Sequence, residues 1–178
     1  MPNLTFHKEL DIYLKSVSHF MYMNYLPESW FTKPDHIAIK AKDAAAYDAH
    51  VEFWKTKAVR NRICEIKLNG RRLGTVKLKE PMSVGPFGLI SWLELMEPRP
   101  EKVGKDKVGI DHMEFYFPDF DEVLMILKDR VIKAKKEKNP SHSWISVELH
   151  DGQELKINDW PLAKIIPEEI KAGKAHWV

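Results

Sequence analysis

Two histidines of this chain stand in matching contexts: Asp35-His36-Ile37-Ala38-Ile39-Lys40 is echoed by Asp111-His112-Met113-Glu114-Phe115-Tyr116. Imidazoles and carboxylates readily hold a divalent cation and can leave coordination positions open. Glu94 offers the carboxylate, because it lies between the large side chains Trp92 and Met96, and an ionised acid in such company needs a partner. His36, Glu94 and His112 are therefore the candidate metal ligands, a set that suits zinc, iron, manganese or nickel. The chemistry of such a site is Lewis-acid polarisation of a carbonyl or enediolate oxygen, with Glu114 or Glu148 as the base. A lone strand histidine is more often a hydrogen-bonded structural residue. Recurrence at the same place in two copies is what singles these two out.

Local pattern indicates what must position them. Each Asp-His segment alternates as a strand does, so Ile37 and Ile39 share one face while His36, Ala38 and Lys40 share the other. In the second copy Met113, Phe115 and Phe117 oppose His112, Glu114 and Tyr116. A helix follows each strand. Asp43 is its N-cap in the first copy, ahead of Tyr47, Val51, Trp54 and Ala58 at helical spacing. In the second, Asp119 and Glu122 form a capping box before Val123, Leu124, Leu127 and Val131. A hairpin comes next. In the first half it turns at Asn69-Gly70, between 63–68 and 73–78. In the second it joins 144–149 to 154–157, and no further strand is evident beyond Ile157. The first half adds a strand over 89–96, bounded by Pro81, Gly85, Pro86 and Gly88 before it and by Pro98 and Pro100 after it.

The expected architecture is thus α+β: paired βαβββ modules forming a cupped mixed sheet with helices on its outer face, plus an N-terminal helix carrying Leu10, Leu14, Val17 and Met21. A single domain over 1–178 would hold a helical extension at 1–32, a first module at 33–100 and a second at 109–178. The basic run Lys133-Ala134-Lys135-Lys136-Glu137-Lys138 is expected at the end of the second module's helix, where cations meet the negative end of the dipole. Pro167-Glu168-Glu169-Ile170 is expected as the first turn of a short terminal helix.

Composition closes off other classes. The chain has 178 residues, 44% hydrophobic and 30% charged, which is ordinary for a globular protein. Its formal net charge of +2 is too small to announce a nucleic-acid or anionic-membrane partner. Cys64 is the one cysteine, so no intrachain disulfide forms, and a cytoplasmic setting is expected. No secretory leader or membrane span is visible. The expected partner is a small-molecule ligand or substrate, bound by a monomer or homodimer. Ser141-His142-Ser143 lacks a nearby acid for a triad, and the glycines make no phosphate-cradling loop. His50, His142, His150 and His176 are surface-prone, with His150 beside Asp151 an adventitious ligand at most.

In this order the segments Asp35-His36-Ile37-Ala38-Ile39, Leu68-Asn69-Gly70-Arg71-Arg72, Lys77-Leu78-Lys79-Glu80-Pro81, Leu93-Glu94-Leu95, Asp111-His112-Met113-Glu114 and Asp151-Gly152, followed by Trp160, resemble a known group. The chain is similar to the vicinal oxygen chelate superfamily and, within it, looks most like the YecM family of bacterial metal-binding proteins. The resemblance spans about residues 33 to 170. It implies a cupped sheet around a divalent metal, with His36, Glu94 and His112 matching ligand positions on the first, fourth and fifth strands. It further implies an isomerase, epimerase or oxygenase acting on a small oxygen-bearing substrate, or else a non-catalytic metal or ligand-binding module. The superfamily commonly places a Glu on the last strand. Here Lys156 falls near that place, with Glu154 and Glu148 as neighbours, so the fourth ligand stays open among them.

Overall fold

An N-terminal helix, α1 (Asn3–Met23), buries Leu10, Tyr13, Leu14 and Val17, one stripe at helical spacing. The computed structural model to which it belongs describes residues 3–130, 132–138, 142–149 and 152–178. The first module follows as β1 (Pro34–Lys40), α2 (Ala44–Lys55), β2 (Cys64–Leu68), β3 (Arg71–Ser83) and β4 (Leu89–Met96). The second is β5 (Gly109–Tyr116), α3 (Phe120–Asp129), β6 (Ala134–Lys138), β7 (Ser143–Glu148) and β8 (Glu154–Asn158). The chain then continues through α4 (Leu162–Lys171) and β9 (Ala175–Trp177). Among the described residues all nine strands join one mixed sheet, in the order β6-β7-β8-β5-β1-β4-β3-β2-β9.

The sheet is symmetric about its centre. β1 and β5 pair antiparallel there, and each module returns its last strand alongside its first, β4 parallel to β1 and β8 parallel to β5. Parallel pairing requires a crossover, which each module supplies through its helix. Asp43 caps α2 by accepting from the Ala46 amide at 2.7 Å, and Asp119 caps α3 by accepting from the Glu122 amide at 3.1 Å. Asn69 and Gly70 turn the β2–β3 hairpin at φ of 51° and 79°, the left-handed pair that a type I′ turn requires.

The two faces divide as strand alternation requires. Ile37, Ile39, Leu93, Leu95, Met113, Phe115, Ile145, Val147, Leu155 and Ile157 enter one core with α1, α2 and α3. Burying each such side chain contributes roughly 1.5–3 kcal/mol. The hydroxyl of Tyr13 ties α1 to the sheet. It donates to the Glu154 carbonyl at 2.7 Å and accepts from the Met113 amide at 2.8 Å. The opposite face is the inner one, and α4 lies on part of it: Leu162, Ile165 and Ile166 pack with Cys64 and Ala175 against Ile66 and Trp92.

Five expectations change. The basic run at 133–138 is not the end of α3, which stops at Asp129 with Arg130 as its C-cap; residues 134–138 form β6 instead. As one of the sheet's two edge strands, β6 gains from its lysines, because clustered charge deters another chain from adding to an edge. The hairpin of the second half therefore corresponds to β3–β4, not β2–β3, and a strand does follow it, since β9 pairs with β2 across the molecule. Pro167 lies inside α4, whose first turn begins at Leu162, and α2 ends at Lys55, leaving Ala58 buried beyond it in a bridge to Leu78. Val131, Ser141, His150 and Asp151 lie outside the described residues.

Candidate metal centre

The central pair of strands builds the site through two irregularities. Along β1 the register steps from Pro34 opposite Phe115 to His36 opposite Glu114, so Asp35 is an extra residue. Along β5 it steps from His112 opposite Ala38 to Ile110 opposite Ile39, so Asp111 is extra in turn. A bulge breaks strict alternation and re-aims a side chain. Here each bulge lets an aspartate reach the ring of the histidine that follows it. Asp35 Oδ2 lies 2.9 Å from His36 Nδ1, and Asp111 Oδ2 lies 2.8 Å from His112 Nδ1. Both Nε2 atoms thus face the space between the strands. A carboxylate on one imidazole nitrogen with the other left for an ion is the usual outer-shell arrangement of metal-ligating histidine.

Glu114 occupies that space. Its Oε2 is 3.9 Å from His36 Nε2 and its Oε1 is 3.5 Å from His112 Nε2. Ligand atoms of His36, His112 and Glu114 all lie within 4.8 Å of one another. The site is sheltered: the side chains of His36, His112 and Glu114 are 3%, 2% and 12% exposed. Further bonds fix the carboxylates. Asn158 Nδ2 donates to Glu114 Oε2 at 2.7 Å, the Leu162 amide donates to Asp35 at 3.0 Å, and Lys40 pairs with Asp111 at 2.5 Å. A second group, Asp111, His112 and Glu154, also satisfies the distance, but in it Asp111 is already committed to His112 and Lys40.

Electrostatics follow from this packing. Burial alone would lower the pKa of His36, yet the Glu114 carboxylate, the hydrogen bond the ring donates to Asp35 and the charges of Asp35 and Glu94 raise it to about 9. Burial likewise opposes charge on Glu114, but His36 and His112 hold its carboxyl well below the usual range. Asp111 is also held low against its burial, by His112 and Lys40. Carboxylate charge is thus retained in a sheltered place, balanced in the metal-free site by the protonated His36 that a cation would replace. The donor set, two imidazole nitrogens and one carboxylate with both rings anchored, fits a divalent metal.

Of the residues expected from sequence, His36 and His112 meet. Glu114, expected as a base, joins them. Glu94 lies on β4 opposite Ala38, one strand from His36, and is not one of the three groups in mutual reach; its charge nevertheless bears on His36. Glu148 is exposed on β7, opposite Glu154, which in turn pairs with His112, so two strand spacings separate it from the imidazole. Lys156 on β8 stands opposite Glu114, with its Nζ 3.4 Å from His112 Nε2 and 3.6 Å from Glu154 Oε2. Sequence reasoning missed the anchoring role of Asp35 and Asp111, although their recurrence before each histidine was the available signal. His142, expected at the surface, stands near the site. That half-buried imidazole packs at a tilt against Trp144, feels the charges of Glu114, Glu94 and His36, and has its pKa lowered by burial.

A sheet of paired βαβββ modules with imidazole and carboxylate side chains gathered on its central strands matches the vicinal oxygen chelate class, to which this fold belongs. The profile of the YecM protein family matches residues 4–163, and the chain belongs to that family. Among solved structures, a structural-genomics protein described as EC4020 superposes with a TM-score of 0.76 at 19% identity, covering 93% of this chain and 91% of that one. A variant of Streptomyces coelicolor methylmalonyl-CoA epimerase, in complex with 2-nitronate-propionyl-CoA, superposes with a TM-score of 0.50 at 25% identity over 71% of this chain and 96% of its own. The Mycobacterium tuberculosis methylmalonyl-CoA epimerase gives 0.53 at 18% identity, over 75% and 91%. Among curated proteins the chain has no match.

Proposed function

We propose that His36, His112 and Glu114 hold a divalent cation, with Glu94 as the adjacent carboxylate of the set, and that the protein is a metal-dependent isomerase or epimerase of a small oxygen-bearing substrate. The observation that carries this reading is the pair of bulges, each of which gives one imidazole a carboxylate at Nδ1 and turns Nε2 toward Glu114. A structural histidine pair has no need of that duplication. When bound, the cation would supply Lewis acidity at a substrate oxygen. The chain supplies the rest. Asp35 and Asp111 fix the rings, and α4 with Trp92 walls one side of the cup against water. His142, favoured neutral by its burial, can accept a proton at the rim. The likeness to an epimerase of the same fold supports the reaction type.

One observation favours the second reading, a metal-binding module without catalysis. Glu94 stands opposite the residue two beyond His36, and its counterpart opposite the residue two beyond His112 is Lys156, so the second module contributes a cation where the first has a carboxylate. Elemental analysis after loading with zinc, manganese, iron or nickel tests the shared claim. About one ion per chain is expected in the wild type, and none in the His36→Ala/His112→Ala double variant. Equal trace metal in both would end both readings. Turnover by the loaded wild type then separates them.

A further inference from the structure

Lys156 raises a question that the metal site alone does not answer. Its side chain is 15% exposed, and its ammonium lies within a few ångströms of His112 Nε2, the nitrogen a cation would take. Glu114 and Glu154 balance its charge as the side chains stand. Once a divalent ion claims Glu114, an ammonium and a dication face each other in a sheltered place, and like charges at such range repel strongly. Glu154 alone then faces the ammonium at 3.6 Å, and an anion placed between Lys156 and the ion relieves the remaining repulsion.

A second observation points the same way. Ser146 is the rung partner of Lys156 on β7, so the two side chains share the inner face as a cross-strand pair. Ser146 is only 7% exposed, and its Oγ has no hydrogen-bond partner among the described residues. A buried hydroxyl without a partner costs roughly 1–3 kcal/mol, and a ligand that accepts its hydrogen bond offsets that cost. Resting on the metal reading, we propose that Lys156 and Ser146 form an anion subsite beside the cation, and that the substrate is a small carboxylic acid whose carboxylate sits on the Lys156 ammonium and the Ser146 hydroxyl.

The subsite explains why the second module departs from the first. Lysine in place of a last-strand carboxylate lowers the negative charge around the ion and adds a point charge that can select an acid over its amide. It also orients the ligand, because the carboxylate is held on the β7–β8 side while the rest of the molecule extends toward β1 and β5.

The test is calorimetric binding of acetate, oxalate, malonate and succinate, with malonamide as the neutral control, to metal-loaded full-length protein. Metal content is measured on every sample. Wild type is expected to bind at least one of the acids and not malonamide. Lys156→Gln should weaken that acid about 10-fold or more while keeping its metal, Lys156→Arg should keep most of the affinity, and Ser146→Ala should lose about 3- to 10-fold. Metal-loaded Lys156→Gln that binds the acid as wild type does, or wild type that binds none of the four acids, would overturn the subsite while leaving the metal reading intact. Wild type that takes up no metal would end the metal reading and the subsite with it.

Discussion

Asp35 and Asp111 each tie a histidine to other groups: Asp35 bonds His36, the side-chain amide of Asn158 and the start of α4, and Asp111 bonds His112 and Lys40. Losing the negative charge while keeping the shape should therefore loosen the ring next door without unfolding the strand. Asp35→Asn and Asp111→Asn are each expected to weaken metal binding by about 10- to 100-fold in competition with a chromogenic chelator. Unchanged affinity in both would show that the bulges serve the sheet alone. His36 gives a pH prediction of definite sign. Its pKa rises from 6.5 to about 9 on folding, so the protonated ring stabilises the metal-free fold fully below pH 6.5, and that contribution is lost as pH rises through 9. Metal must displace the same proton, so affinity should climb with pH across that window. Denaturant titration of metal-free protein at pH 6 and pH 9.5, with His36→Gln as control, checks the first part. A stability rise with pH that vanishes in His36→Gln would contradict it.

Elements carry their own test at Gly74 on β3. A Cβ built there would meet the Tyr47 hydroxyl at 2.9 Å and Ile63 Cγ2 at 3.2 Å, both held by neighbours, with Tyr47 Oη bonded to Glu65 at 2.9 Å and Arg72 stacked over its ring. Gly74→Ala should cost about 1–3 kcal/mol in chemical denaturation, and an unchanged midpoint would refute the tight approach of α2 to the sheet. How far the sequence alone revealed these elements varies with the physics that forms them. Alternation and capping are local, so both Asp-His strands, the caps at Asp43 and Asp119 and the Asn69-Gly70 turn could be read directly. The strand β6 could not, because its lysines mimic a helix end and only its place at the sheet edge explains them. Three apolar residues of α4 say that it packs somewhere, but not that it packs on the inner face. The bulges left no mark on the alternation pattern, so the distances of Glu114 and Glu94 from the histidines could not be read; register sets Glu114 opposite His36 and Glu94 opposite Ala38.

At the scale of the molecule, duplication does two things. It sets two equivalent strands side by side at the centre of one sheet, and it lets the copies diverge where chemistry needs asymmetry. The histidines and their aspartates are kept in both; Glu94 and Lys156 differ. The C-terminal segment breaks the symmetry further, since α4 lies over Trp92 and β9 pairs with β2, so the first module's half of the cup is roofed by α4. Among the described residues no helix is long and apolar enough to cross a membrane. The central claim is that the β1–β5 pair holds one ion. Anomalous scattering from crystals grown with zinc or manganese tests it most directly. A single strong peak is expected about 2.0–2.2 Å from His36 Nε2, His112 Nε2 and a Glu114 oxygen. A peak away from those three groups, or none at full metal loading, would contradict it.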